Sequence, residues 1–147
     1  MNYPQTMAVE LSDNISHVSK NLQSIANYGC LAMCYLYCIG LDGDAVHYIE
    51  YLSRAMEKGL LDKDCTVLDG AKYLNHFCGE DRYRVIKKDI SDTDLKNIKN
   101  RTPVRFDYNG KSHWVVFENG HLVFNPLLNS ICVNKGHAAT ARIISLR

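Results

Sequence analysis

Three side chains in this sequence have the types and the order needed to cleave or exchange an acyl group. Cys30 lies in Tyr28-Gly29-Cys30-Leu31-Ala32, His113 in Ser112-His113-Trp114-Val115-Val116, and Asn125 in Phe124-Asn125-Pro126. A thiol, an imidazole and a carboxamide thus follow one another as nucleophile, base and orienting group. Each has an ordinary alternative. Most free cysteines are small buried residues, a strand histidine is often just hydrogen-bonded or exposed, and Asn-Pro commonly starts a turn. The chemical reading rests on the combination.

The elements that must position these groups follow from pattern. Gly29 lets the chain turn sharply, and Leu31 to Ile39 is apolar and continuous enough for a buried helix, which places Cys30 at a helix N-terminus. Unpaired N–H groups there favour thiolate and supply an oxyanion donor. Leu41-Asp42-Gly43-Asp44 breaks the chain, and Asp44 caps a helix whose Val46, Ile49, Leu52, Ala55 and Met56 recur at helical spacing until Gly59. Asp69 to Cys78, ended by Gly79, forms another short helix, and Ser91-Asp92-Thr93-Asp94 opens a third with a capping box. After about residue 80 the pattern changes to strand: Tyr83 to Ile86, Val104 to Phe106, His113 to Phe117, His121 to Phe124 and Ala141 to Leu146, with turns at Asn109-Gly110 and Asn119-Gly120. The expectation is an α+β domain over 1–147, with a helical part at about 1–80 and an antiparallel sheet at about 81–147.

The hairpin between His113 and Asn125 sets a test of geometry. A two-residue Asn119-Gly120 turn sets Glu118 opposite His121 and Trp114 opposite Asn125, which puts the His113 and Asn125 side chains on opposite sheet faces. A three-residue loop, Glu118-Asn119-Gly120, with Gly120 left-handed in a bulge, places Phe117 opposite His121 and His113 opposite Asn125. The three-residue loop is therefore expected. It puts Trp114, Val116, Leu122 and Phe124 on one face and Val115 and Phe117 on the other, so the sheet should be covered on both sides.

Composition bounds the function. The 147 residues are 46% hydrophobic and 22% charged, enough for a real core, and 17 Lys and Arg against 16 Asp and Glu leave a formal charge of +1 with no basic stripe. Nucleic acid and membrane are not implied as partners, and Met1-Asn2-Tyr3-Pro4-Gln5 lacks the basic and apolar regions of a signal peptide, so cytoplasmic residence and reduced thiols are expected. Cys30, Cys34 and Cys38 lie at i, i+4 and i+8, but an intact helix separates the first and last by ~12 Å, so three sulfurs do not converge on one ion. A buried stripe is the reading, with no metal and no cofactor. His47 and His76 read as surface or helix-end residues. His121 is a competitor for His113 but lies near the hairpin tip, and Asp107 ranks below Asn125 as orienting group.

Gly29-Cys30-Leu31-Ala32, Pro103-Val104, His113-Trp114-Val115-Val116 and Asn125-Pro126 together resemble the papain-like cysteine peptidase superfamily, with the C39-like peptidases closest in flavour. The resemblance implies a papain-like fold in which Cys30 is nucleophile, His113 general base and acid, and Asn125 the orienting residue. That family usually places an oxyanion-hole Gln six residues before the nucleophile. Here Ser24 stands at that position, and Gln23 or Asn27 is the candidate donor. The implied activity is hydrolysis or acyl transfer at an amide, isopeptide or thioester carbonyl through a Cys30 thiolate and a His113 imidazolium, with a short peptide or a protein surface as substrate. The rival reading is a catalytically silent papain-like module, phage or mobile-element encoded, that binds and modulates a protein partner. Tolerance of Cys30→Ala separates the two.

Overall fold

A computed structural model describes residues 3–14, 20–41 and 43–147. Met1, Asn2 and Asp42, which enter the reading above, lie outside the described residues. The helices come first: α1 (Pro4–Asn14), α2 (Lys20–Tyr28), α3 (Cys30–Cys38), α4 (Ala45–Glu57) and α5 (Gly70–Cys78). Five strands follow: β1 (Tyr83–Asp89), β2 (Thr102–Tyr108), β3 (Lys111–Glu118), β4 (His121–Phe124) and β5 (His137–Leu146), with α6 (Ile131–Lys135) between β4 and β5. All pairings are antiparallel, in the order β1-β5-β2-β3-β4. The molecule is α+β, with helices ahead of an antiparallel sheet.

Local signals act where expected. The Asp44 carboxylate accepts from the His47 N–H and that of Asp69 from the Lys72 N–H, each filling a donor vacancy in a first helical turn. Gly79 closes α5 at φ 82°, a left-handed conformation that costs glycine nothing. The capping box at Ser91 forms, with the Asp94 carboxylate accepting from the Ser91 N–H at 2.8 Å. It opens a 3-10 helix over Asp92–Asn97 rather than an α-helix.

Strand alternation divides β3 between two cores. Trp114 and Val116 pack with Phe124 against Ile25, Met33, Tyr48, Leu52 and Tyr73 on the helical side. Val115 and Phe117 pack with Val104, Phe106 and Cys132 on the opposite side, where Leu95 and Ile98 close over them. The sheet is thus covered on both faces.

The hairpin corrects the expected loop. Glu118 pairs with His121, so Asn119-Gly120 is a two-residue turn, with φ 53° and 73° at its centre. Positive φ at both positions is the type I′ requirement, which Asn-Gly meets best. The N–H groups of Asn119 and Gly120 donate to the carbonyls of Lys99 and Ile98, clamping the tip. The change of parity comes from inside β4. Phe117 pairs with Leu122 but Val116 with Phe124, so Val123 is an extra residue and the strand bulges. Leu122 therefore leaves the face assigned to it and is exposed, while Phe124 keeps its inward position. His121, opposite Glu118, falls on the face away from His113.

Phe124 ends β4 between two helices, stacked on Tyr37 of α3 with centroids 4.6 Å apart and on Tyr48 of α4 at 5.6 Å. Arg101 locks the same corner, its guanidinium lying 4.4 Å from the centre of the Tyr37 ring and donating to the Tyr37 carbonyl at 2.8 Å. Truncating Phe124 to Ala empties this clamp next to Asn125. The expected loss is ~3–5 kcal/mol, read as a lower urea midpoint at unchanged slope. A loss under ~1 kcal/mol would mean the stack does not hold β4.

Candidate functional site

Asn125 leaves β4 just as Pro126 removes a ladder donor, so the chain turns away from β3 there. Its Oδ1 accepts from the Leu127 backbone N–H at 3.1 Å and lies 2.8 Å from His113 Nε2. A backbone N–H only donates, so the oxygen of the amide must face it. The same oxygen accepts from His113, which puts the ring proton on Nε2 and leaves Nδ1 as the basic nitrogen in the neutral ring. His113 is 4% exposed. Burial pushes its pKa below the ordinary histidine value, and the bond to Asn125 opposes that shift.

Cys30 is the first residue of α3, and the backbone N–H groups of Trp114, Leu31 and Cys30 itself act on its thiol to lower its pKa. Trp114 is the residue after His113 and lies beyond the last pairing of β3 with β4, which ends at Val116↔Phe124. The Trp114 N–H that acts on the thiol thus belongs to the part of β3 that β4 does not pair. As expected, the sulfur lies at a helix N-terminus, but its pKa moves the other way. Desolvation raises it above the ordinary thiol value and outweighs the three N–H groups that lower it. A buried sulfur and a buried imidazole thus both favour their neutral forms.

Gly29 is required for a reason other than the one expected. Its φ and ψ, −76° and −2°, are open to any residue. A methyl group there would come 2.6 Å from the Ile25 carbonyl oxygen and 3.1 Å from Leu52. Close approach, not left-handed freedom, demands glycine.

Gln23 and Asn27 lie exposed on α2. The carboxamide buried against the end of α2 is Gln5 of α1, 4% exposed, whose Nε2 donates to the Ala26 carbonyl at 3.1 Å. The Gln5 and Thr6 N–H groups also point at the Pro126 carbonyl, at 3.0 and 3.4 Å, and Thr6 Oγ1 accepts from the Leu128 N–H. Gln5 thereby bridges both halves of the site. Sequence spacing carried no signal for it, because it lies on a separate helix far upstream of Cys30.

Asp107 does not orient His113. It accepts two bonds from Arg105, at 2.9 and 3.0 Å, and one from Ser112 at 2.8 Å, while Phe106 is the residue paired with His113. His47 and His76 are exposed on α4 and α5. Cys34 is buried and Cys38 partly so, and among the described residues no group of three His, Cys, Asp or Glu side chains could hold a metal ion. No described helix is long and apolar enough to cross a membrane.

A cavity of about 300 Å3 adjoins the first turn of α3, lined in part by Leu31, Tyr35, Val67, Lys87 and Arg142. A larger open groove, about 950 Å3, lies between α5 and β1 among Lys72, His76, Tyr83 and Ile86. No family model, curated protein or solved structure matches this chain.

The electrostatics set a pH signature. A histidine whose folded pKa is depressed binds its proton later than the unfolded chain does, so its contribution to stability is intact above the unfolded value of ~6.5 and erodes as pH falls below it. The wild type should lose stability relative to His113→Gln below that pH, and the ring resonances of His113 should titrate below ~6.5. A ring midpoint at or above the ordinary value would contradict the buried, neutral imidazole.

Proposed function

We propose that this protein is a cysteine-dependent hydrolase or acyltransferase of papain-like type, acting on an amide, isopeptide or thioester carbonyl. The observation that carries the reading is the His113 Nε2 to Asn125 Oδ1 bond, which leaves Nδ1 as the proton acceptor on a ring whose neighbour, Trp114, acts on the Cys30 thiol through its N–H.

The resting pair is neutral, so the thiol is activated as it reacts. Cys30 Sγ attacks the carbonyl carbon while its proton passes to His113 Nδ1. The oxygen becomes an oxyanion and accepts from the N–H at the start of α3, and the imidazolium formed is steadied by Asn125. Collapse of the intermediate breaks the bond to the leaving amine or thiol, which takes the proton from Nδ1. A water molecule, or an acceptor amine in the transferase case, then gives its proton to Nδ1 and attacks the thioester, and the sulfur regains a proton on release. None of these steps calls for a cofactor. The cavity beside Leu31 has room for a short acyl side chain, which suits a peptide or a protein segment as substrate.

Three observations favour a second reading. The raised thiol pKa, the lowered imidazole pKa and the large groove, whose lining does not include Cys30, also fit a silent papain-like module that binds a protein partner along α5 and β1.

Acylation by an activated ester, mapped by peptide mass analysis, tests the first against the second. Cys30 should acylate ahead of Cys34 and Cys38, and His113→Ala should slow that reaction by ~10²–10⁴-fold. Equal rates in wild type and His113→Ala, together with partner binding that survives Cys30→Ala, would move the protein to the binding reading.

A further inference from the structure

We propose that Gln5 is a positioning residue that releases the Cys30 backbone N–H from the helix ladder and leaves it facing the sulfur. The reasoning starts from how nearly α2 and α3 form one helix. Only Gly29 separates them, and its dihedrals are close to helical. Its N–H bonds to the Ile25 carbonyl, and the next turn closes from the Met33 N–H to the Gly29 carbonyl, each at 3.0 Å. In an uninterrupted helix the Ala26 carbonyl would accept from the Cys30 N–H, four residues on. Here that carbonyl accepts from Gln5 Nε2 at 3.1 Å, and the Cys30 N–H is among the groups that lower the pKa of the Cys30 thiol. The amide of Gln5 thus supplies the Ala26 carbonyl with a donor that the next turn of an uninterrupted helix would supply.

A second observation points the same way. Gln5 Oε1 is buried and, among the described residues, has no hydrogen-bond partner. A buried amide with an orphaned acceptor is a poor packing choice beside a methionine of similar shape, so the donor end is what the position uses. The value of a freed N–H for an oxyanion rests on the acyl-transfer reading. The release itself does not.

The wild-type protein allows a direct measurement: a scalar coupling across the hydrogen bond from Gln5 Nε2–H to the Ala26 carbonyl carbon by NMR. Its detection supports the proposal, and a coupling from the Cys30 N–H to that carbon overturns it. The functional consequence is read in Gln5→Met by the pH dependence of iodoacetamide alkylation at Cys30, with partly exposed Cys78 as internal control. Loss of one N–H from the sulfur should cut the Cys30 rate about tenfold at a given pH below its pKa, with Cys78 unchanged. An unchanged Cys30 profile in a folded Gln5→Met protein reduces Gln5 to a packing role and overturns the proposal. Slower Cys30 alkylation in Gln5→Met, combined with ester acylation insensitive to His113→Ala, would keep the Gln5 assignment and reject the enzyme.

Discussion

Side chains on a strand alternate, and that alternation governs the whole arrangement. Trp114 must face the helices to seal the larger core, so His113 must face the other way. Cys30 belongs to a helix on Trp114's side. The proposed nucleophile and base belong to opposite faces of the sheet, so they can meet only where it stops, and β4 stops at Phe124. The short fourth strand, the proline after Asn125 and the action of the Trp114 N–H on the thiol are parts of one solution to that constraint. So is the bulge at Val123, without which a two-residue turn would send Asn125 to the wrong face.

The site's electrostatic character follows from the same geometry. Threading the sulfur into the end of a packed sheet supplies backbone donors but removes water, and desolvation is the larger influence on Cys30. His113 is pushed toward neutrality for the same reason. Two groups neutral at rest make a site that stores no ion pair, and in the proposed reaction charge separates only when an acyl carbon arrives to share it. Asn125 suits this arrangement, since a carboxamide orients the ring without adding a charge to a buried corner.

Much of this was legible in the residues. The change from helical to strand pattern near residue 80, the caps at Asp44 and Asp69, the Gly79 stop and the double covering of the sheet all follow from local spacing. So does the common facing of His113 and Asn125, although its cause was misplaced. Asn119-Gly120 carries its own turn preference, and the extra residue entered at Val123, where nothing in a run of four apolar or aromatic residues marks a bulge. The role of Gly29 was obscured because steric approach by Ile25 belongs to three dimensions. Gln5 was hidden because its partners, Ala26 and Pro126, lie far apart in the chain.

The clasp between the start of α1 and the Pro126 carbonyl joins residues separated by most of the chain. Contacts of such sequence separation form late, since the intervening chain must first lose its freedom. During synthesis the thiol emerges long before His113, and Gln5 waits for both Ala26 and the Pro126 turn. A growing chain thus carries Cys30 as an ordinary sulfhydryl until the strands that hold His113 and Asn125 have been made.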